Sequence, residues 1–202
     1  MIGVRQEDFS MLSRLQNLVI HASRTWWLYL GVVILFAGSL LSLLRIGKLF
    51  PAHAAGNLPF DLQNGLAPAD VYPQIATYTS AARNLYYAFT LIDYAFPFFA
   101  GLFIAATAAF AMRNSLPKWY AALTARNLLP VFMLGTAFDW LENIAALAAI
   151  SFYQTETGWL PVLLVLAKKL KLFCVMTGQA AMLLLLVYMA GNWLATKLGI
   201  RR

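Results

Sequence analysis

Long apolar stretches separated by short polar ones dominate the chain, and four exceed the roughly 18 residues that mark a membrane span. They cover about 25–44, 84–112, 129–151 and 172–194. Ahead of the first, the stretch from Glu7 to Val19 sets Phe9, Leu12, Leu15, Leu18 and Val19 at helical spacing between polar neighbours. That pattern predicts a short helix lying on a membrane surface. Between the first two spans come Leu58-Pro59-Phe60-Asp61, an Asn64-Gly65 turn, and Asp70 as N-cap of a helix through Val71, Ile75 and Tyr78. The expected fold is all-α, an antiparallel four-helix transmembrane bundle with a short N-terminal surface helix and an ordered outer loop and helix between spans one and two. Residues 1–202 should form a single integral membrane domain, without internal repeats or low-complexity stretches.

Composition agrees with the pattern: 61% of the 202 residues are hydrophobic and 11% charged. A formal charge of +7 would point to nucleic acid in a soluble protein, but here the basic residues sit mostly at span ends, where they meet headgroups and set orientation. No nucleic-acid partner is expected; membrane lipids are. Arg5, Arg14 and Arg24, then Arg113, Lys118 and Arg126, then Lys197, Arg201 and Arg202 place both termini on the cytoplasmic side of an inner membrane. Lys168, Lys169 and Lys171 then fall at the outer end of span four, against the positive-inside trend. Ala52-His53-Ala54 has the form of a signal cleavage site. The apolar run before it is too long for an h-region, so an uncleaved first span is expected. Cys174 is the only cysteine, which removes any disulfide framework or cysteine metal cluster.

Acidic residues stand where lipid should be. Asp93 interrupts span two, and Asp139, Glu142 and Asn143 interrupt span three. An ionised carboxylate at mid-membrane costs several kcal/mol, so such groups face a bundle interior and mark candidate sites. Arg83, Tyr87, Thr90 and Asp93 recur at three- and four-residue steps as one stripe, with Asp93 about 15 Å below Arg83. Glu142 lies at a matching depth on a span running the other way, so the acids can meet. Pro97 cannot donate to the carbonyl of Asp93, which leaves a loose backbone oxygen beside a carboxylate. Lys171, or Lys168 one turn earlier, could supply counter-charge, with Gln179 further along that face. Lys168 and Lys169 are read as solvated or bound to headgroups. Three carboxylates with at most two cations cannot all stay ionised in a low dielectric, and Glu142 is the expected proton carrier.

The candidate ligand-binding set is therefore Arg83, Tyr87, Asp93, Asp139, Glu142, Asn143, Lys171 and Gln179, and any metal would take Asp93, Asp139 and Glu142. The alternative is structural: the same groups could act as hydrogen-bonding glue between spans, which is the reading favoured for Asn143. Gly101, Ala105 and Ala109 form a close-packing face, most tryptophans belong to interfacial belts, and Trp140 beside Asp139 could wall a pocket.

The succession Pro59-Phe60-Asp61, Arg83 with a tyrosine shortly after, Asp93-x-x-Phe96-Pro97, Asp139-x-x-Glu142-Asn143 and a lysine opening the last span resembles a family of small four-span bacterial membrane proteins of unassigned function. It covers most of the chain from Pro59 onward and implies a four-helix membrane fold without a chemistry. Ala82 stands where that pattern has glycine before the arginine. A looser analogy links four spans around an acidic, aromatic-lined cavity to the sterol-isomerase and sigma-2-receptor group, none of whose motifs is present.

No H-E-x-x-H, G-x-S-x-G, P-loop or Asp-rich prenyl-phosphate motif occurs, and neither His21 nor His53 has a partner at ligand spacing. No cofactor is identified. Two functional classes remain: a protein that binds or acts on an amphiphilic lipid or isoprenoid-like small molecule, and an accessory or assembly subunit of a larger membrane complex. Proton or cation transport is a weaker third, for want of repeats and broken spans.

Overall fold

A computed structural model describes residues 11–199. Arg5, Glu7, Phe9, Arg201 and Arg202, which carry part of the expected surface helix and of the expected cytoplasmic charge, lie outside the described residues. Seven helices are present among the described residues: α1 (Met11–Arg24), α2 (Trp26–Leu49), α3 (Val71–Ala76), α4 (Ser80–Ser115), α5 (Pro117–Ala125), α6 (Leu134–Ser151) and α7 (Trp159–Lys197). No strand occurs among them. Four helical segments are long and apolar enough to cross a membrane: Trp26–His53, Ser80–Ser115, Leu129–Ser151 and Trp159–Lys197.

The fourth segment differs most from expectation, because α7 begins at Trp159 and not near 172. Pro161 falls in its first turn, where a missing N–H is harmless. Lys168, Lys169 and Lys171 therefore lie well inside one continuous helix rather than at its mouth.

Helix α4 is the central element and touches α1, α2, α6 and α7. In its most apolar 18-residue window 61% of residues are buried, against 11% for α2 and α7, so those two expose most of their apolar surface. Thr79 opens α4 by accepting the Ala82 N–H at 3.1 Å. Pro117 opens α5 immediately after α4 ends. Gly101, Ala105 and Ala109 are all buried on the face expected to pack closely. A Cβ on Gly101 would lie 2.4 Å from Thr136 Oγ1, so α4 and α6 approach there only because the side chain is missing.

Residues 50–79 fold into a cap over one end of the bundle. Phe50, Phe60, Val71, Ile75 and Tyr78 bury themselves against Tyr86 of α4, Ala145 and Ala149 of α6 and Leu164 of α7. The rings interlock, Phe50 to Tyr78 at 5.2 Å and Phe60 to Tyr86 at 5.7 Å between centroids. Gln74 ties the segment internally, donating to the Leu58 carbonyl at 3.0 Å and to the Tyr78 hydroxyl at 2.6 Å. Tyr72 donates to the Thr157 carbonyl at 2.8 Å and fastens the cap to the α6–α7 turn. Asp70 is the N-cap residue of α3 as expected, but its side chain makes no hydrogen bond into that helix; its carboxylate accepts from Ala67 N–H and closes the preceding turn. A second core, with Val19, Val32, Leu102, Ala109 and Leu129, fills the opposite end.

Candidate functional site

Pro97 sits inside the unbroken α4, and three side chains at helical spacing on α6 reach the carbonyls around it. Thr136 donates to Pro97 O at 2.6 Å, Trp140 Nε1 to Tyr94 O at 2.9 Å, and Asn143 Nδ2 approaches Asp93 O at 3.5 Å. The carbonyl expected to be freed by the proline is thus met by the asparagine of the acidic motif. Trp140 is a hydrogen-bond donor whose ring stacks on Phe98 at 6.4 Å.

Asn143 also joins two acids, donating to Asp93 Oδ2 at 3.0 Å and to Asp139 Oδ1 at 3.3 Å. From α7, Lys171 lies 2.7 Å from Glu142 Oε2 and 3.4 Å from Asp139 Oδ2, and it forms a short ion pair with Asp61 of the cap. Lys168 donates to the Phe60 and Asp61 carbonyls at 2.6 and 2.7 Å and stands 3.6 Å from Glu142 Oε1. Helical spacing explains the arrangement: 168 and 171 share one face of α7, and 139, 142 and 143 share one face of α6. Asp93 is fully buried, and Asp139, Glu142, Asn143, Lys168 and Lys171 are all buried with it.

Two expectations change. Lys168 is buried and bonded to the cap, not solvated, while Lys169 is exposed. Glu142 has two ammonium groups beside it, whereas Asp93 touches none and its Oδ1 has no hydrogen-bond partner. The acid without a counter-charge is thus Asp93, and Asp93 and Glu142 are joined through Asn143, Asp139 and Lys171. One oxygen from each of Asp61, Asp93 and Asp139 falls within 4.8 Å of the others, a set that could hold a hard cation, with Asp61 where Glu142 was expected.

Arg83 and Tyr87 are engaged elsewhere. The Arg83 guanidinium lies 4.3 Å over the Tyr153 ring and holds that phenol below its ordinary pKa by hydrogen bonding. Tyr87 is exposed and its hydroxyl faces Ser151 Oγ at 3.4 Å. Tyr86 takes the buried face instead. Seven residues before Asp93 is nearly two helical turns, whereas six leaves Tyr87 about a third of a turn away. Asp61 was overlooked as a site residue, although it ends the Pro59-Phe60-Asp61 run that the sequence resemblance singles out.

On one flank of the cluster lies a cavity of about 260 Å³ between α2, α4, α6 and α7. Phe36, Phe96, Phe103 and Phe132 supply aromatic wall, and Asp139, Thr136 and Gln179 supply polar groups. Gln179 and Leu183 are exposed at its edge, so it opens on the apolar flank of the bundle. Compared with known proteins, the chain matches no family model, no curated protein and no solved structure.

Proposed function

We propose that this is a multi-pass inner-membrane protein that binds a single amphiphilic molecule in the cavity beside Asp139. The four long helices cross the bilayer as an antiparallel bundle. The cap covers its outer face, α1 lies on the cytoplasmic surface, and both termini are cytoplasmic. Membrane lipids surround α2 and α7, whose apolar residues such as Ile34, Leu41, Phe173 and Leu184 are exposed. The proposed relation to small four-span bacterial membrane proteins rests on the residues that form the buried cluster, Asp61, Asp93, Asp139, Glu142 and Asn143.

One observation carries the binding reading: an apolar, phenylalanine-walled cavity opens toward the position of lipid and ends on a carboxylate of the charged cluster. Ligand sites are concave, mostly apolar and furnished with a few convergent polar groups. A cluster serving only as glue between helices needs no such opening. The test is mass spectrometry of the lipids that co-purify with the protein, compared with an Ala100→Phe variant. Ala100 lines the cavity without belonging to the charged cluster. The wild type should retain a stoichiometric amphiphile that the filled variant loses while remaining monodisperse. Equal lipid content in both would reject the reading in favour of an accessory subunit with a structural polar cluster.

A further inference from the structure

We infer that the occupant of the cavity is a single-chain amphiphile with a cationic, ammonium-type head that pairs with Asp139. This rests on the amphiphile-binding reading and adds the class of head group.

The charge around the head position is the first ground. Asp61, Asp93, Asp139 and Glu142 face only Lys168 and Lys171, so the acids outnumber the ammonium groups by two. A cation entering there meets carboxyl groups without ammonium partners of their own and allows one more of them to ionise, in a low dielectric where the pairing is far stronger than in water. The cavity lining is the second ground. Asp139 is its sole charged residue, and no arginine or lysine reaches it, so a carboxylate or phosphate head would find no counter-charge there. Neither lysine lines the cavity, and both are already paired with Asp61, Asp139, Glu142 or the cap carbonyls.

Asp139 retains capacity for a further donor. Its two oxygens have one neighbour each, Asn143 at 3.3 Å and Lys171 at 3.4 Å, whereas a carboxylate offers about four acceptor positions. Thr136 is committed to Pro97 O, which leaves the exposed Gln179 amide as the second polar contact for a head group. The walls set the rest of the ligand. Phe36 stacks on Phe96 at 5.6 Å and on Phe103 at 6.0 Å, forming an apolar side along the cavity. About 260 Å³ falls below the ~300–1,000 Å³ of drug-sized pockets, which suits one chain and not the two of a phospholipid.

The experiment uses the full chain in phosphatidylcholine vesicles and three diazirine-bearing probes with the same alkyl chain and an ammonium, hydroxyl or carboxylate head. Photolabelling is normalised to membrane-partitioned probe and mapped to peptides spanning 96–104, 132–139 and 175–183. The ammonium probe should label the cavity at least about tenfold more than the carboxylate probe, the expected size of one charge-assisted contact. It should also exceed the hydroxyl probe. Asp139→Asn should abolish the ammonium preference while hydroxyl-probe labelling persists. Should that variant not fold, competition on the wild type decides: unlabelled alkylammonium should displace the probe and an alkyl sulfate of equal length should not. Equal labelling by all three heads, or preference for the carboxylate, overturns the head-group inference and leaves amphiphile binding standing. Absence of cavity labelling by every probe overturns both.

Discussion

An ammonium group buried among carboxylates is held by charge and geometry, and its removal strands every acid it touched. Lys171 touches Asp61, Asp139 and Glu142. Lys171→Met should therefore destabilise the protein by about 3–5 kcal/mol, whereas Lys169→Met at the exposed neighbour should stay within about 0.5 kcal/mol. In the same series Asp93→Asn should be better tolerated than Glu142→Gln, because Asp93 has no ammonium partner and asparagine keeps an acceptor for Asn143. Unfolding in detergent at neutral pH ranks the four variants, and a Glu142→Gln protein as stable as Asp93→Asn would contradict the charge assignment. At this scale the acids of α4 and α6 were legible because a carboxylate in an apolar run has few explanations. Lys168 and Asp61 were not. A lysine near a span end reads as a headgroup anchor, and the cap carbonyls that bond Lys168 belong to residues over a hundred positions earlier.

Proline in a helix leaves the carbonyl four residues back without its donor, and here α6 meets that carbonyl and two near it with three side chains on one face. The pairing makes α4 and α6 a keyed surface in which Trp140 has a defined duty toward Tyr94 O. Trp140→Phe keeps most of the ring contact with Phe98 but removes the interhelical hydrogen bond to Tyr94 O, which should cost about 0.5–1.5 kcal/mol. Thermal unfolding with circular dichroism measures it; a variant equal to wild type would mean that another donor reaches Tyr94 O. The helices themselves were largely readable, since runs of apolar residues mark α2, α4 and α6 to within a few positions. The start of α7 was hidden because three lysines look like the end of a membrane span. Burial of two of them in a charge cluster is a tertiary fact that hydropathy does not carry.

For the whole molecule, the proposed orientation places the cap and the α4–α5 turn on opposite sides of the membrane. Single cysteines at Gly65 and Lys118, on a Cys174→Ser background, should react differently with an impermeant thiol reagent. Gly65 should label in intact cells and Lys118 only after permeabilisation; equal labelling would refute the orientation. The cap was anticipated as an ordered segment from its turn and proline residues. Its depth of engagement was not, because the aromatic contacts of Phe50, Phe60 and Tyr86 join residues far apart in sequence.

The ion pair between Asp61 and Lys171 spans 110 positions, and the chain is synthesised from its N-terminus. In the membrane reading, Asp61, Asp93, Asp139 and Glu142 all leave the ribosome before either buried lysine does. Until α7 is inserted, the growing bundle carries these acids without the two lysines that pair with them, so α7 completes the assembly of the helices made before it. A nascent chain stalled before Trp159 would present these acids within apolar spans with neither lysine made.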